Sequence, residues 1–283
     1  MQSCSSIMAT QSLRKACNGL SPLISIVMPS LNQRQFLEIA ARSVLEQADV
    51  DVELIVMDPG SVDGSRELLH SLHQEFGNRL RLVLQKDQGQ SDAVNTGMAL
   101  AKGQIMGWLN SDDRLRPGSL GKVSRTLVAA QPAWLYGRAG VIDQAGRPAS
   151  SYITLYKNTR GRRFSRFKLL QENFICQMAV FWNRSMWEQL GGLNLDKHLD
   201  MDYDLWLRFA ERVAPITLAE TLSDFRVHAA AKGSVHSDHQ LKAALQTAKE
   251  HAASLGIRGQ AALLVHRVLS HRTRLAYRLV KPK

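Results

Sequence analysis

Cysteine is scarce: of 283 residues only Cys4, Cys17 and Cys176 carry a thiol. Three scattered thiols are too few for a disulfide framework or a cysteine-rich zinc site, so a reducing, cytoplasmic setting is expected. Long apolar runs are missing as well. No stretch approaches the roughly 20 residues that span a bilayer, which argues against an integral membrane protein. The opening MQSCSSIMATQSLRKACNGL has neither the positive head nor the apolar block of a secretory signal, so residues 1–21 read as a flexible leader. Acidic residues are absent from two segments. Residues 251–283 hold seven Lys/Arg, and KNTRGRRFSRFK at 157–168 holds six, with no Asp or Glu in either. Removing those thirteen from the chain's 36 Lys/Arg leaves 23 against 25 Asp/Glu, so the net charge of +11 resides in these segments. They face phosphates, nucleic acid or an anionic membrane, or they are ordinary solvated faces.

What is present is a core: 45% of the residues are hydrophobic, ample for one large domain or a domain with an appendage. From residue 22 onward strand-like and helix-like runs alternate. LISIVMP (23–29) precedes a helical pattern over 34–47, and VELIVMD (52–58) precedes another over 66–76. LRLVLQ (80–85) leads into GQSDAVNTGMALAKG, and QIMGWLN (104–110) into two aspartates and a helix opened by Pro117. Four β–α steps with continuously apolar strands predict a parallel sheet covered on both faces. Beyond about residue 133, AWLYGRAGVIDQAGRPAS reads as short strands and turns and CQMAVFWN (176–183) as a buried strand. Residues 236–280 read as helices.

The run GWLNSDD (107–113) ends in adjacent carboxylates, Asp112 and Asp113. A solvated loop, a helix cap or a hard divalent cation would each satisfy them. Sheets of this kind bind ligands beyond the carboxyl ends of their strands, where both this pair and Asp58 fall, and that placement favours the cation. In MDYDLWLRFAERV (201–213) helical spacing puts Asp202 on one face with Leu205, Trp206 and Phe209, while Asp204 and Arg208 lie four apart as an ion pair. A carboxylate on an apolar stripe gains a raised pKa suited to a general base; helix capping is the alternative for Asp202.

Together SIVMPSLNQRQFLEIAARSVLEQ, ELIVMDPGSVDGS, KDQGQSDAVNTGMALAKGQIMGWLNSDD and GGLNLDKHLDMDYDLWLRFA resemble the inverting family 2 glycosyltransferases of the GT-A fold, over about residues 22–232. The resemblance implies an α/β fold with a Rossmann-like mixed sheet flanked by helices. It places a catalytic domain at 22–235 and leaves a basic helical extension at 236–283. It implies that Asp58 contacts the nucleotide base, with Pro29 and Ser30 flanking it and Asp92 joining the donor-binding set. It implies that Asp113 ligates Mg²⁺ or Mn²⁺ on the diphosphate, Asp112 contacts the donor beside it, and His228 lies near the metal, a structural imidazole being the alternative. Asp202 matches the base that deprotonates the acceptor hydroxyl. Pro59 and Met201 depart from the family's frequent acidic residues at these places, and no Q-X-X-R-W motif follows the base, which favours transfer of a single sugar. The implied partners are a nucleotide-sugar donor and a carbohydrate or glycolipid acceptor.

Two other classes are weighed against this one. A sugar-phosphate nucleotidyltransferase needs a glycine-rich loop after its first strand, and MPSLNQRQF has no glycine. A nucleic-acid-binding module would use the basic tail, whose single aromatic, Tyr277, supplies no stacking platform, so no nucleic acid is expected. In the tail Leu264, Val268, Leu275 and Leu279 share one side of a helix flanked by Arg267, Arg274 and Arg278. That stripe either contacts an anionic membrane surface peripherally or packs on the catalytic domain.

Overall fold

The computed structural model describes residues 24–48, 50–127, 131–149, 152–228 and 237–280, with the backbone alone for 153, 237 and 272–280. The expected leader at 1–21, with Cys4 and Cys17, lies outside the described residues, as do the side chains of Leu275, Tyr277, Leu279, Arg274 and Arg278.

The first half alternates as its apolar runs demand. Strands β1 (Ile24–Pro29), β2 (Val52–Met57), β3 (Leu80–Val83) and β4 (Ile105–Trp108) are separated by helices α1 (Arg34–Leu45), α2 (Ser65–Phe76) and α3 (Gln90–Leu100). All four strands are parallel, in the order β3-β2-β1-β4. Their runs are apolar on both faces because helices cover both. Beyond β4 the sheet becomes mixed. A two-residue strand β5 (Arg114–Leu115) and helix α4 (Ser119–Thr126) lead to β6 (Trp134–Ile142), and then come helices α5 (Tyr152–Arg160) and α6 (Arg166–Gln171). Strand β7 (Val180–Asn183), helices α7 (Arg184–Leu190) and α8 (Met201–Arg212), strand β8 (Ile216–Arg226) and helices α9 (Ser237–Ala252) and α10 (Gly256–Val280) complete the chain. The full sheet order is β3-β2-β1-β4-β7-β6-β8-β5, with β7 antiparallel to both β4 and β6, and β8 parallel to β6.

Two local expectations are corrected. Pro117 does not open α4: Gly118, at φ 73°, occupies the cap position and the helix starts at Ser119. The stretch after residue 133 is one nine-residue strand rather than short ones. Its glycines do not break it; a Cβ on Gly140 would strike Asp224 and Arg116, so the strand uses glycine where β8 crowds it. Strand β8 was unreadable because its buried half carries Ser223, Asp224 and Arg226, which break apolar alternation. Asp224 is 2% exposed yet bonded to Arg114 at 3.0 Å and Arg116 at 2.7 Å, which is how a polar strand end comes to be buried.

The core lies on both faces of the sheet. One side joins β1, β2 and β6 to α1 and α2 through Ile26, Leu37, Val44, Leu54 and Leu135. The other holds Trp134, Trp182, Trp206 and Phe209, with Trp134 and Trp206 stacked at 6.0 Å between centroids. Ala248, Ala252, Ala262 and Leu263 belong to that same core, so α9 and α10 pack on the sheet's helical layer. His266 Nδ1 meets the Leu170 carbonyl at 2.9 Å, and His251 bridges Asp204 and Glu211 at 3.2 and 3.1 Å.

Candidate active site

The acid loop follows β4. The Asp113 amide donates to the Asn110 carbonyl at 3.1 Å, closing a tight turn. Strand β5 then pairs antiparallel with β8, Arg114 opposite Asp224, which carries the preceding aspartates alongside Arg226. The Arg226 amide donates to Asp113 Oδ1 at 2.9 Å, and its Nε donates to the Asp112 carbonyl at 2.8 Å. Its Nη1 reaches the carbonyls of Asp143 and Gln144, and its guanidinium lies 4.7 Å from the Phe36 ring centroid. Arg226 is fully buried and clamps the loop; sequence reading missed it, although it stands two residues before His228 on an extended segment.

Asp113 is also fully buried, and its Oδ2 has no hydrogen-bond partner. Burial and the neighbouring Asp112 charge push its carboxyl well above the usual range, against the pull of Arg226. Such an oxygen is costly unless a cation or proton meets it. His228 Nε2 lies 3.1 Å from Asp112 Oδ2, with its ring 4.9 Å from Phe36. Among the described residues no three His, Cys, Asp or Glu side chains form a closed metal cage. Mg²⁺ or Mn²⁺ does not need one: a small hard cation keeps waters and phosphate oxygens and takes one or two carboxylates from the protein. The free Oδ2 of Asp113, with Asp112 and His228 beside it, fits that need.

At the ends of the neighbouring strands β1 and β2 a second site forms. Pro29 closes β1, and the Ser30 amide donates to the Met57 carbonyl at 2.9 Å. Asp58 is fully buried; its Oδ1 accepts from the amides of Gly60 and Ser61 at 2.9 and 2.8 Å and from Arg66 Nε at 3.1 Å. Burial would raise its pKa, but these donors outweigh it and hold the carboxyl below the usual range. Asp58 Oδ2 and Ser30 Oγ are buried without partners. Asp92, in the first turn of α3, accepts from the Gln88 amide at 2.9 Å and so closes the loop before its own helix.

Asp202 is half-buried at the start of α8, where the cap position belongs to Asp200 instead. Burial raises its pKa, opposed by the Tyr203 amide, the Lys157 charge and a 3.4 Å contact from Asn173 Nδ2. Asp204 forms the expected ion pair with Arg208 at 2.9 Å. The Cys176 thiol is pushed up by burial and lies within electrostatic reach of Lys157, Asp113 and Asp202. Lys157, Asn173 and Cys176 carried no readable motif.

Similarity to known proteins agrees with this arrangement. A parallel α/β half that continues into a mixed sheet flanked by helices is the GT-A type of fold. The mannosyltransferase of Pyrobaculum calidifontis, solved with GDP-Man and Mn²⁺, shares the fold at a TM-score of 0.62 and 15% identity, over 98% of this chain and 84% of that one. The family model for glycosyl transferase family 2 matches residues 25–190, and the chain belongs to that family. A PGL/p-HBAD biosynthesis glycosyltransferase of Mycobacterium tuberculosis is 30% identical over 200 residues, 70% of this chain and 73% of that protein. An uncharacterized glycosyltransferase of Nostoc is 29% identical over 120 residues, and there the match spans 42% of this chain and only 37% of the relative. The protein is therefore a glycosyltransferase of glycan biosynthesis.

Proposed function

We propose that the chain transfers a single sugar from a nucleoside-diphosphate sugar to an acceptor hydroxyl with inversion at the anomeric carbon. The observation that carries this reading is the buried, unpartnered Oδ2 of Asp113 just beyond β4, together with the half-buried Asp202 at the start of α8. Asp202, with its raised pKa, takes the proton of the acceptor hydroxyl as that oxygen attacks the anomeric carbon; general-base help of this kind supplies about 10²–10⁴-fold. Asp113, with Asp112 and His228, would hold Mg²⁺ or Mn²⁺, which when bound offsets charge on the departing diphosphate. Asp58 Oδ2 and Ser30 Oγ, beside Pro29, offer unpartnered acceptor and donor atoms to the N–H and carbonyl groups of a base, with Asp92 at the donor side. Work on the cytoplasmic side, in peripheral contact with an anionic membrane, is supported by α10: Ile257, Leu264, Val265 and Val268 point outward between Arg258 and Arg267.

The roles are separable. Calorimetric titration with a donor series and Mn²⁺ should show that Asp113→Asn abolishes metal-dependent donor binding, whereas Asp202→Asn binds donor nearly as the parent does and loses about 10²–10⁴-fold in turnover. Equal loss of donor affinity in both variants would overturn the assignment.

A further inference from the structure

The basic segment 157–168 is not uniformly solvated. Arg160 pairs with Glu172 at 3.3 Å, Arg166 pairs with Glu211 at 2.6 Å, and Lys168 donates to the Arg163 carbonyl at 3.3 Å. Arg162 and Arg163, in the turn between α5 and α6, and Arg138, on β6, have no ion pair or side-chain hydrogen bond among the described residues. A cavity bounded by β6, β8 and α5 is lined by Arg138, Lys157, Arg162, Phe174 and Cys176 among others. Arg162 also borders the adjoining shallow groove, which continues over Arg163 and Lys168. The two hollows meet at Arg162 and thus form one basic track, with Cys176 and Phe174 in its wall.

Its position relative to the donor is informative. The base-side atoms lie at the ends of β1 and β2, whereas the track lies over β6 and β8, three and more strands along the sheet. Asn173, whose Nδ2 lies 3.4 Å from Asp202 Oδ2, directly precedes Phe174 of the cavity lining, so the cavity wall adjoins Asp202. We infer that this track binds an anionic acceptor, a glycan chain whose phosphate or carboxylate groups engage Arg138, Arg162 and Arg163 while a hydroxyl is presented to Asp202. The inference rests on the transfer reading above and adds the acceptor's chemical class. Three guanidiniums without carboxylates repel one another, and each presents a planar fork that matches two oxygens of a phosphate or carboxylate. A neutral sugar chain would leave those forks without a counter-charge.

The test uses end-labelled hexamers of glycerol phosphodiester, galacturonic acid and neutral glucose, followed by fluorescence anisotropy in EDTA so that metal-dependent donor binding is silent. Both anionic hexamers should bind about tenfold or more tightly than the neutral one and weaken with salt, as exposed charge pairs do. Arg138→Gln/Arg162→Gln/Arg163→Gln should lose that advantage while its donor affinity, measured with Mn²⁺, stays within about twofold of the parent. The exposed pair Arg162→Gln/Arg163→Gln, remote from the core, should lose part of it without any change in melting temperature. Equal binding of neutral and anionic hexamers, or full binding by the triple variant, would overturn the proposal. So would a parallel fall in donor affinity, which would assign the arginines to the donor diphosphate. Arginine-dependent binding to phosphatidylglycerol vesicles without hexamer binding would also overturn it, making the track a lipid contact. Loss of donor binding by the parent alone, with hexamer binding intact, would sink the transfer reading and leave the anion track standing.

Discussion

Arg226 illustrates how one side chain can carry a loop. Its amide, Nε and Nη1 hold Asp113, Asp112, Asp143 and Gln144, and it is sealed from water. Removing one member of a buried charged set leaves the other uncompensated, at a typical cost of about 3–5 kcal/mol. Arg226→Gln should therefore lower the melting temperature sharply, and Arg226→Lys should also do so because an ammonium lacks the planar fork. A parent-like melting curve for Arg226→Gln would contradict the clamp. At Asp202 the prediction concerns pH. A base must be ionised, and burial has raised its pKa, so kcat/KM should fall as pH falls through a value above the ordinary 3.9 or so. Asn173 donates to the charged form, so Asn173→Ala should move that acid limb higher still; a pH profile that does not move, or moves down, would refute the contact's role.

Among the elements, α10 presents two different faces over its described side chains. The face that packs is Ala262, Leu263 and His266, against α6 and its neighbours. Leu264 and Val268, expected on the stripe, are instead 65% and 57% exposed, with Ile257 at 89%. Packing and an outward apolar face therefore coexist on one helix. Each base near an anionic surface contributes roughly 1 kcal/mol. The chain should sediment with phosphatidylglycerol vesicles at low salt and not with neutral ones. Leu264→Asn/Val268→Asn should abolish sedimentation with the fold intact, because neither side chain lies in the core; unaltered sedimentation would exclude this face. Legibility differed by element for a physical reason. Helix α8 was readable because a 3.6-residue period of apolar residues shows in any window, and Asp204 with Arg208 satisfied the i, i+4 rule. Strand β8 was not, because Asp224 and Arg226 are buried among partners that lie 82 to 114 residues upstream.

At the scale of the molecule, one aromatic cluster ties the sheet to the helices that bear the acid of α8. Trp206 stacks on Trp134 and meets Trp182 and Phe209 at 5.9 and 5.7 Å between centroids. Trp206→Ala should cost about 3–5 kcal/mol, measured by denaturant unfolding, and a loss under 1 kcal/mol would show that the cluster relaxes around the gap. Asp58, Asp112, Asp113 and Asp202 were legible as candidates because strand ends and helix faces can be read locally. The anchoring of Asp113 was not, since it depends on a pairing across the whole length of the domain. Strand β5 is held by a strand that follows it by about a hundred residues. Contacts so far apart in sequence carry the largest loop-closure penalty and set slow folding. As the chain is synthesised, the aspartates emerge well before Arg226, so the acid loop should stay unanchored until β8 has been made. A nascent chain ending before Ile216 holds every acid proposed for the reaction and has no competent site.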